Sequence, residues 1–266
     1  MPKKETAEDG DARLALRIGF HKVAEVRLSR LVATFLVLLI PAAAGLGGER
    51  PDADSTETVV PPPGVIRDLP AYAAECRADP GRRMVDLRQE VPGLVFDIRY
   101  ATRHNFTGEA LYDSPGAYLR AGAAARLREV EADLRGRGLG LKVFDAYRPY
   151  SVTVRMWLKR GPNGYFVAPA QLGSDHNRGV AVDVSLVRLA DGRELAMPSD
   201  FDFFGPQAGQ AFMELPGEEI ANRATLRAAM ERHGFHSLDQ EWWHYALHGA
   251  KEYSLLDLPF SAFQQP

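Results

Sequence analysis

Hydrophobic positions along this 266-residue chain recur with two periods, and the changes between them mark its elements. Apolar residues three and four apart predict helices over 121–136, rich in Ala, Leu, Glu and Arg, and over 218–233, which Gly234 stops. Short apolar or alternating runs predict strands over 84–91, 94–101, 139–146, 180–189 and 242–247. Pro149 is placed to open a helix running to Lys159, since the first turn needs no N–H from it. Asp191-Gly192 predicts a tight turn returning the 180–189 strand into 194–197 as a hairpin. Helices and strands thus come in blocks, which predicts an α+β fold, an antiparallel sheet flanked by helices, and argues against a doubly wound sheet. No internal repeat is present.

The pattern breaks down before residue 65. Residues 31–44 are apolar apart from Thr34 and Pro41, follow Arg27 and Arg30, and end in Ala42-Ala43-Ala44. That run is short for a membrane span and reads as a signal peptide over 1–44, the competing reading being an uncleaved anchor. The segment ahead of it is long and acidic for such a signal. Residues 45–64 are Pro-rich with few large apolar side chains and read as a linker, leaving 65–266 as one globular domain. A periplasmic or secreted location follows as an expectation, with no stable membrane association once the signal is cleaved. The net charge of −3 offers no basic surface for nucleic acid. Cys76 is the single cysteine, so no intrachain disulfide can form.

Two segments carry chemistry. The first is Ser174-Asp175-His176-Asn177-Arg178-Gly179-Val180-Ala181-Val182-Asp183; the second is Glu241-Trp242-Trp243-His244. A catalytic zinc ion takes three protein ligands and leaves a position open for water, and His176, Asp183 and His244 supply that number. Glu241 is then the carboxylate available to move protons. In a regular 242–247 strand Glu241 points away from His244, so the chain must turn or bulge just after Leu238-Asp239-Gln240 to bring both to one site.

The spacing Ser-x-His-x-x-Gly-x-Ala-x-Asp with a later Glu-x-x-His resembles the zinc D-alanyl-D-alanine metallopeptidases, which share a fold with the Hedgehog signalling domain. The closer similarity is to the D-alanyl-D-alanine dipeptidase branch, which includes enzymes of vancomycin resistance. Three further stretches look like that branch: Asp97-Ile98-Arg99-Tyr100-Ala101-Thr102 with Asn105-Phe106-Thr107-Gly108, Asp145-Ala146-Tyr147-Arg148-Pro149, and Phe201-Asp202-Phe203. The resemblance runs over roughly 84–260. It implies a single Zn2+ on His176, Asp183 and His244, with Glu241 as the base that activates the attacking water. It places Arg148 at the oxyanion of the tetrahedral intermediate, a role in which one donor is worth about 3 kcal/mol. Asp202 matches the carboxylate that pairs with the α-ammonium of the dipeptide, and Tyr100 and Ser174 match substrate-pocket positions. The implied substrate is a small D,D-dipeptide, and no protein partner is predicted.

Two other readings stay open on the sequence: a D,D- or L,D-carboxypeptidase acting on peptidoglycan stem peptides, and a zinc-containing binding module of the same fold without turnover. A carboxypeptidase has no use for Asp202 as an ammonium partner, and a binder needs neither Glu241 nor Arg148. Of the remaining candidates, Asp175 reads as a solvated or supporting carboxylate, His233, His236 and His248 as structural, and Trp242 and Trp243 as packing around the site.

Overall fold

The computed structural model describes residues 59–160 and 167–264. The expected signal segment lies outside the described residues, as does most of the linker. The described chain opens on α1 (Leu69–Ala78), whose first turn is capped by Asp68 accepting from the Ala71 N–H at 2.8 Å. No described helix is long and apolar enough to cross a membrane.

The expected strand over 84–91 proves to be two elements. β1 (Met84–Asp86) pairs antiparallel with β3 (Tyr118–Arg120), and α2 (Leu87–Glu90) follows because the Asp86 carboxylate accepts from the Arg88 N–H and starts a helical turn. Residues 94–101 likewise hold only the two-residue β2 (Val95–Phe96); the chain then closes into a 3-10 turn over Arg99–Ala101. Short apolar runs fit strand or helical turn equally well, and after Asp86 local capping decides.

The main sheet has the order β2-β4-β5-β7-β6, with β4 (Leu139–Asp145), β5 (Ala181–Arg188), β6 (Phe235–Leu238) and β7 (Glu241–Leu247). Every pairing is antiparallel except that of β2 with β4, which adds a short parallel edge to the expected antiparallel sheet. β5 is central, and seven of its eight residues are buried, which explains its near-continuous apolar run. The turn at Asp191-Gly192 forms, with Arg188 N–H bonded to the Arg193 carbonyl, but the return strand shrinks to one bridge, Val187 with Glu194.

The helices fall where the 3.6 period puts them. α3 (Ala121–Arg135) buries Ala123, Ala124, Leu127, Val130 and Leu134 along one stripe. α4 (Tyr150–Lys159) starts directly after Pro149, and α5 (Gly217–Arg232) buries Leu226, Ala229 and Met230; α3 and α5 pack on each other and on the sheet.

Candidate active site

Strand register builds the centre of the site. Asp183 on β5 lies directly opposite His244 on β7 and also opposite Asp145 on β4, so three polar side chains form a row on one sheet face. A register irregularity between Val143 and Asp145 brings the last member into line. Asp145 and Asp183 are buried in strands whose other buried residues are mostly apolar.

His176 joins the row from a 3-10 turn, Asp175–Arg178, just ahead of β5. The Ser174 hydroxyl oxygen accepts from the His176 N–H at 3.2 Å, and the Asn177 side-chain oxygen accepts from the Ser174 N–H at 2.7 Å. Asn177 also donates to the Arg148 carbonyl and to Thr153 Oγ1, each at 2.8 Å, which fixes the turn to the Arg148 segment. Gly179 ends the turn at φ +70°, and a Cβ there would lie 2.8 Å from Met84 Sδ. Gly179→Ala therefore combines left-handed strain with a clash; a loss of about 2 kcal/mol is expected in denaturant unfolding, with weakened metal affinity because the His176 turn shifts.

The three side chains converge on one point. His176 Nε2 is 3.2 Å from Asp183 Oδ1 and 3.1 Å from His244 Nδ1, and His244 Nδ1 is 3.0 Å from Asp183 Oδ1. Around a tetrahedral zinc with bonds near 2.05 Å, neighbouring ligand atoms stand roughly 3.3 Å apart. The tautomer of His176 agrees: its Nδ1 is 2.6 Å from the Ala146 carbonyl, which can only accept, so the hydrogen is on Nδ1 and Nε2 offers a lone pair. Lone pairs from an imidazole and a carboxylate, joined by a second imidazole nitrogen, crowd one point. A cation satisfies them.

Glu241 begins β7, directly after the two-residue turn Asp239-Gln240. The β6–β7 register jumps there: Ser237 pairs with Tyr245, but Leu238 pairs with Glu241. The displaced stretch lets Glu241 and His244 face the same cavity, with Glu241 Oε2 3.9 Å from His244 Nδ1. Trp242 and Trp243 are buried, and Trp242 Nε1–H donates to Ser199 Oγ at 3.0 Å.

Arg148 is buried at the end of the β4 segment, with Nε and Nη2 donating to Asp145 Oδ2 at 3.0 and 2.7 Å. Asp145 Oδ1 in turn accepts from the Tyr112 hydroxyl at 2.6 Å. The guanidinium lies 5.0 Å from the Tyr100 ring centroid, and Nη2 is 3.9 Å from Asp183 Oδ2. Burial disfavours the charge, yet Asp145 outweighs that and holds the guanidinium firmly protonated.

Asp202 has the one positive φ among described non-glycine residues, +62°. Phe201, stacked on Phe144 at 4.8 Å and edge-on to Trp243 at 5.4 Å, anchors the turn that imposes it. The Tyr100 hydroxyl donates to Asp202 Oδ1 at 2.9 Å, while Oδ2 is buried without a partner among the described residues. Tyr100, Ser174, Asp202, Glu241 and the three converging residues all border one cavity of about 320 Å³, a size suited to a small ligand.

Comparison with known proteins bears on what this constellation is. A family model described as D-ala-D-ala dipeptidase matches residues 81–266. The chain belongs to that family. The D-alanyl-D-alanine dipeptidase of Escherichia coli (strain K12) is 33% identical to this family member, the match covering 69% of this chain and 94% of that protein. The D-alanyl-D-alanine dipeptidase of Enterococcus faecium is 32% identical over 60% of this chain and 89% of that protein. A solved structure of VanYB in complex with D-alanine-D-alanine aligns at TM-score 0.33 and 16% identity, covering 53% of this chain and 77% of that one.

Several residues that shape the dipeptidase-family site carry no sequence signal of their own. Asp145 opens the Asp145–Pro149 stretch, three residues before Arg148, a spacing that marks it as a partner for the arginine. Tyr112 and Asn177 act through contacts only the fold creates. Asp175, read as a supporting carboxylate, is held by Lys251 at 2.6 Å and Arg178 at 3.5 Å. His233 lies at the end of α5 beside Glu129, at 3.4 Å, and His236 stacks on His248 with centroids 5.2 Å apart.

Crowding acidic groups in a buried cavity has a measurable consequence. Burial, reinforced by Asp183 and Asp202 against the pull of His244 and Arg148, pushes Glu241 from 4.5 up to about 8. Burial likewise pushes Asp202 from 3.8 up to about 7, although Tyr100 and Arg148 oppose it. Burial opposes protonation of His176, but Asp183 outweighs it and raises that imidazole, so in metal-free protein it works in the same direction. Groups that bind protons more tightly when folded add stability at low pH and lose it as pH rises through their folded values. The chelated protein is therefore expected to melt lower at pH 8 than at pH 5, with Glu241→Gln shrinking the difference. Thermal melts across that range check this, and zinc should restore stability at pH 8 by binding only the folded form.

Proposed function

We propose that this protein is a zinc-dependent dipeptidase that hydrolyses D-alanyl-D-alanine to two D-alanines. The observation that carries the reading is the convergence of His176, Asp183 and His244 at 3.0 to 3.2 Å with a non-coordinated carboxylate, Glu241, 3.9 Å away. Family membership and the 33% identity to a D-alanyl-D-alanine dipeptidase support the substrate class.

Each residue then has a part. His176, Asp183 and His244 would hold the zinc ion, which would supply a Lewis acid for the scissile carbonyl and the attacking water. Glu241 takes the proton from that water and delivers it to the departing amine. Arg148, kept in place by Asp145, donates to the carbonyl oxygen as negative charge develops there. The unpartnered Asp202 oxygen accepts from the α-ammonium, a cation that offsets the cost of leaving a buried carboxylate unpaired. Tyr100 orients Asp202, and Ser174 borders the substrate while capping the turn that carries His176.

Purified protein should be offered D-Ala-D-Ala, its N-acetyl derivative and a stem pentapeptide, each with and without chelator. Cleavage of the free dipeptide alone, abolished by chelator, is expected. Equal cleavage of the blocked or longer peptides would instead make the protein a carboxypeptidase, and zinc binding without any cleavage would make it a binding module. The apolar run 31–44 ending in three alanines supports export to the periplasm or beyond, where the enzyme would recover D-alanine from wall turnover. A mature N-terminus at Gly45 is the expected result of sequencing the native protein.

A further inference from the structure

A free dipeptide carries a cation at one end and a carboxylate at the other, and Asp202 answers only the first. Among the described residues bordering the cavity, Arg148 and Lys251 are the Arg and Lys side chains available for the second. Arg148 is buried, and both its Nε and its Nη2 are directed to Asp145. Lys251 is different: its side chain is 72% exposed, and its one ion pair among the described residues is with Asp175 Oδ1 at 2.6 Å.

That ion pair does not consume the charge of Lys251. Asp175 also lies 3.5 Å from Arg178 Nε, so one carboxylate is shared by two cations and the cluster keeps a surplus positive charge. Arg178 turns its Nη1 to the Tyr253 carbonyl and is mostly buried, which leaves the surplus to be presented by Lys251. The cluster is also in the right place. Asp175 immediately precedes His176 in the 3-10 turn, so it adjoins the ligand triangle at His176. Arg148 approaches the same triangle from Asp183, and Tyr100 ties Asp202 to the Arg148 side. Asp202, Arg148, Asp175 and Lys251 line the same cavity, so for a dipeptide with its ammonium at Asp202 and its carbonyl at Arg148, Lys251 is the remaining cation for its carboxylate.

We propose that Lys251, held at the cavity edge by Asp175, binds the C-terminal carboxylate of the substrate and, with Asp202, restricts the enzyme to peptides of two residues. This rests on the dipeptidase reading above. A longer flexible lysine suits the task because a compact ammonium can leave Asp175 for the substrate without a fixed fork geometry to satisfy.

The test uses the zinc-loaded enzyme and its Lys251→Met and Lys251→Arg variants, with D-Ala-D-Ala and D-alanyl-D-alaninamide as substrates. For Lys251→Met, KM for the free acid should rise about tenfold, the scale of one charge-assisted hydrogen bond. kcat, zinc content and kcat/KM for the amide should stay at parent values, and Lys251→Arg should recover most of the affinity. Parent KM should also rise with salt, since an exposed charge is screened. An unchanged KM in Lys251→Met, or an equal loss on acid and amide, overturns the assignment while leaving the dipeptidase reading intact. A parent enzyme that fails to cleave D-Ala-D-Ala overturns both.

Discussion

Replacing Glu241 by alanine should abolish measurable hydrolysis of D-Ala-D-Ala while the protein keeps its zinc. The carboxylate is within reach of the site, 3.9 Å from His244 Nδ1, but is not one of the three converging atoms, so the ligands survive its removal. Loss of a group that moves a proton in both halves of the reaction costs roughly 10²–10⁴-fold in turnover. Glutamine in its place should be equally inactive, since it preserves shape and hydrogen bonding but cannot accept the proton. The pH profile gives an independent reading. A base must be ionised to act, and burial pushes Glu241 up to about 8 in the metal-free protein; the positive charge of a bound dication moves it down again. Activity should therefore rise with pH through a value below 8, and the rising limb should vanish in the variants. Metal analysis alongside single-turnover rates checks the claim, and undiminished turnover in Glu241→Ala would remove this residue from the mechanism.

How much of this was legible in the chain depends on how local each signal is. His176 and Asp183 belong to one stretch, a capped turn running into a strand, and their spacing fixes them as neighbours whatever the rest of the chain does. His244 is remote, but its pairing with Asp183 follows once both lie on adjacent strands. The bend ahead of His244 was predictable because period-2 alternation left Glu241 on the wrong face without it. Asp145 was not legible in this way. It joins the row only through an irregularity in β4, and a register shift is a product of tertiary packing. The strand expected over 84–91 failed for the opposite reason: Asp86 caps a helical turn locally, overriding an apolar run that fits either conformation. Lys251 and Asp175 are 76 residues apart, and their meeting at the cavity edge has no counterpart in either motif.

Exchange of Arg148 for lysine should lower kcat by roughly 10²–10³-fold, the usual consequence of losing one preorganised donor to a developing oxyanion. Charge is conserved in this change, so what is tested is the fork. Arg148 places Nε and Nη2 on a single oxygen of Asp145 and lies against the Tyr100 ring, which aims the guanidinium as a rigid plane. A lysine ammonium cannot hold that carboxylate and reach a second acceptor in a fixed direction. Alanine is the poorer test, because it strands Asp145 as a buried carboxylate and costs about 3–5 kcal/mol in stability, enough to confuse misfolding with inactivity. Lysine keeps a cation beside Asp145 and should leave zinc content and the melting temperature close to those of the parent. The division between kcat and KM then decides the role. An oxyanion donor acts on charge that exists only in the transition state, so KM should change little. A rise in KM at constant kcat would mean that Arg148 binds the substrate carboxylate in the ground state, which would assign to it the task proposed for Lys251.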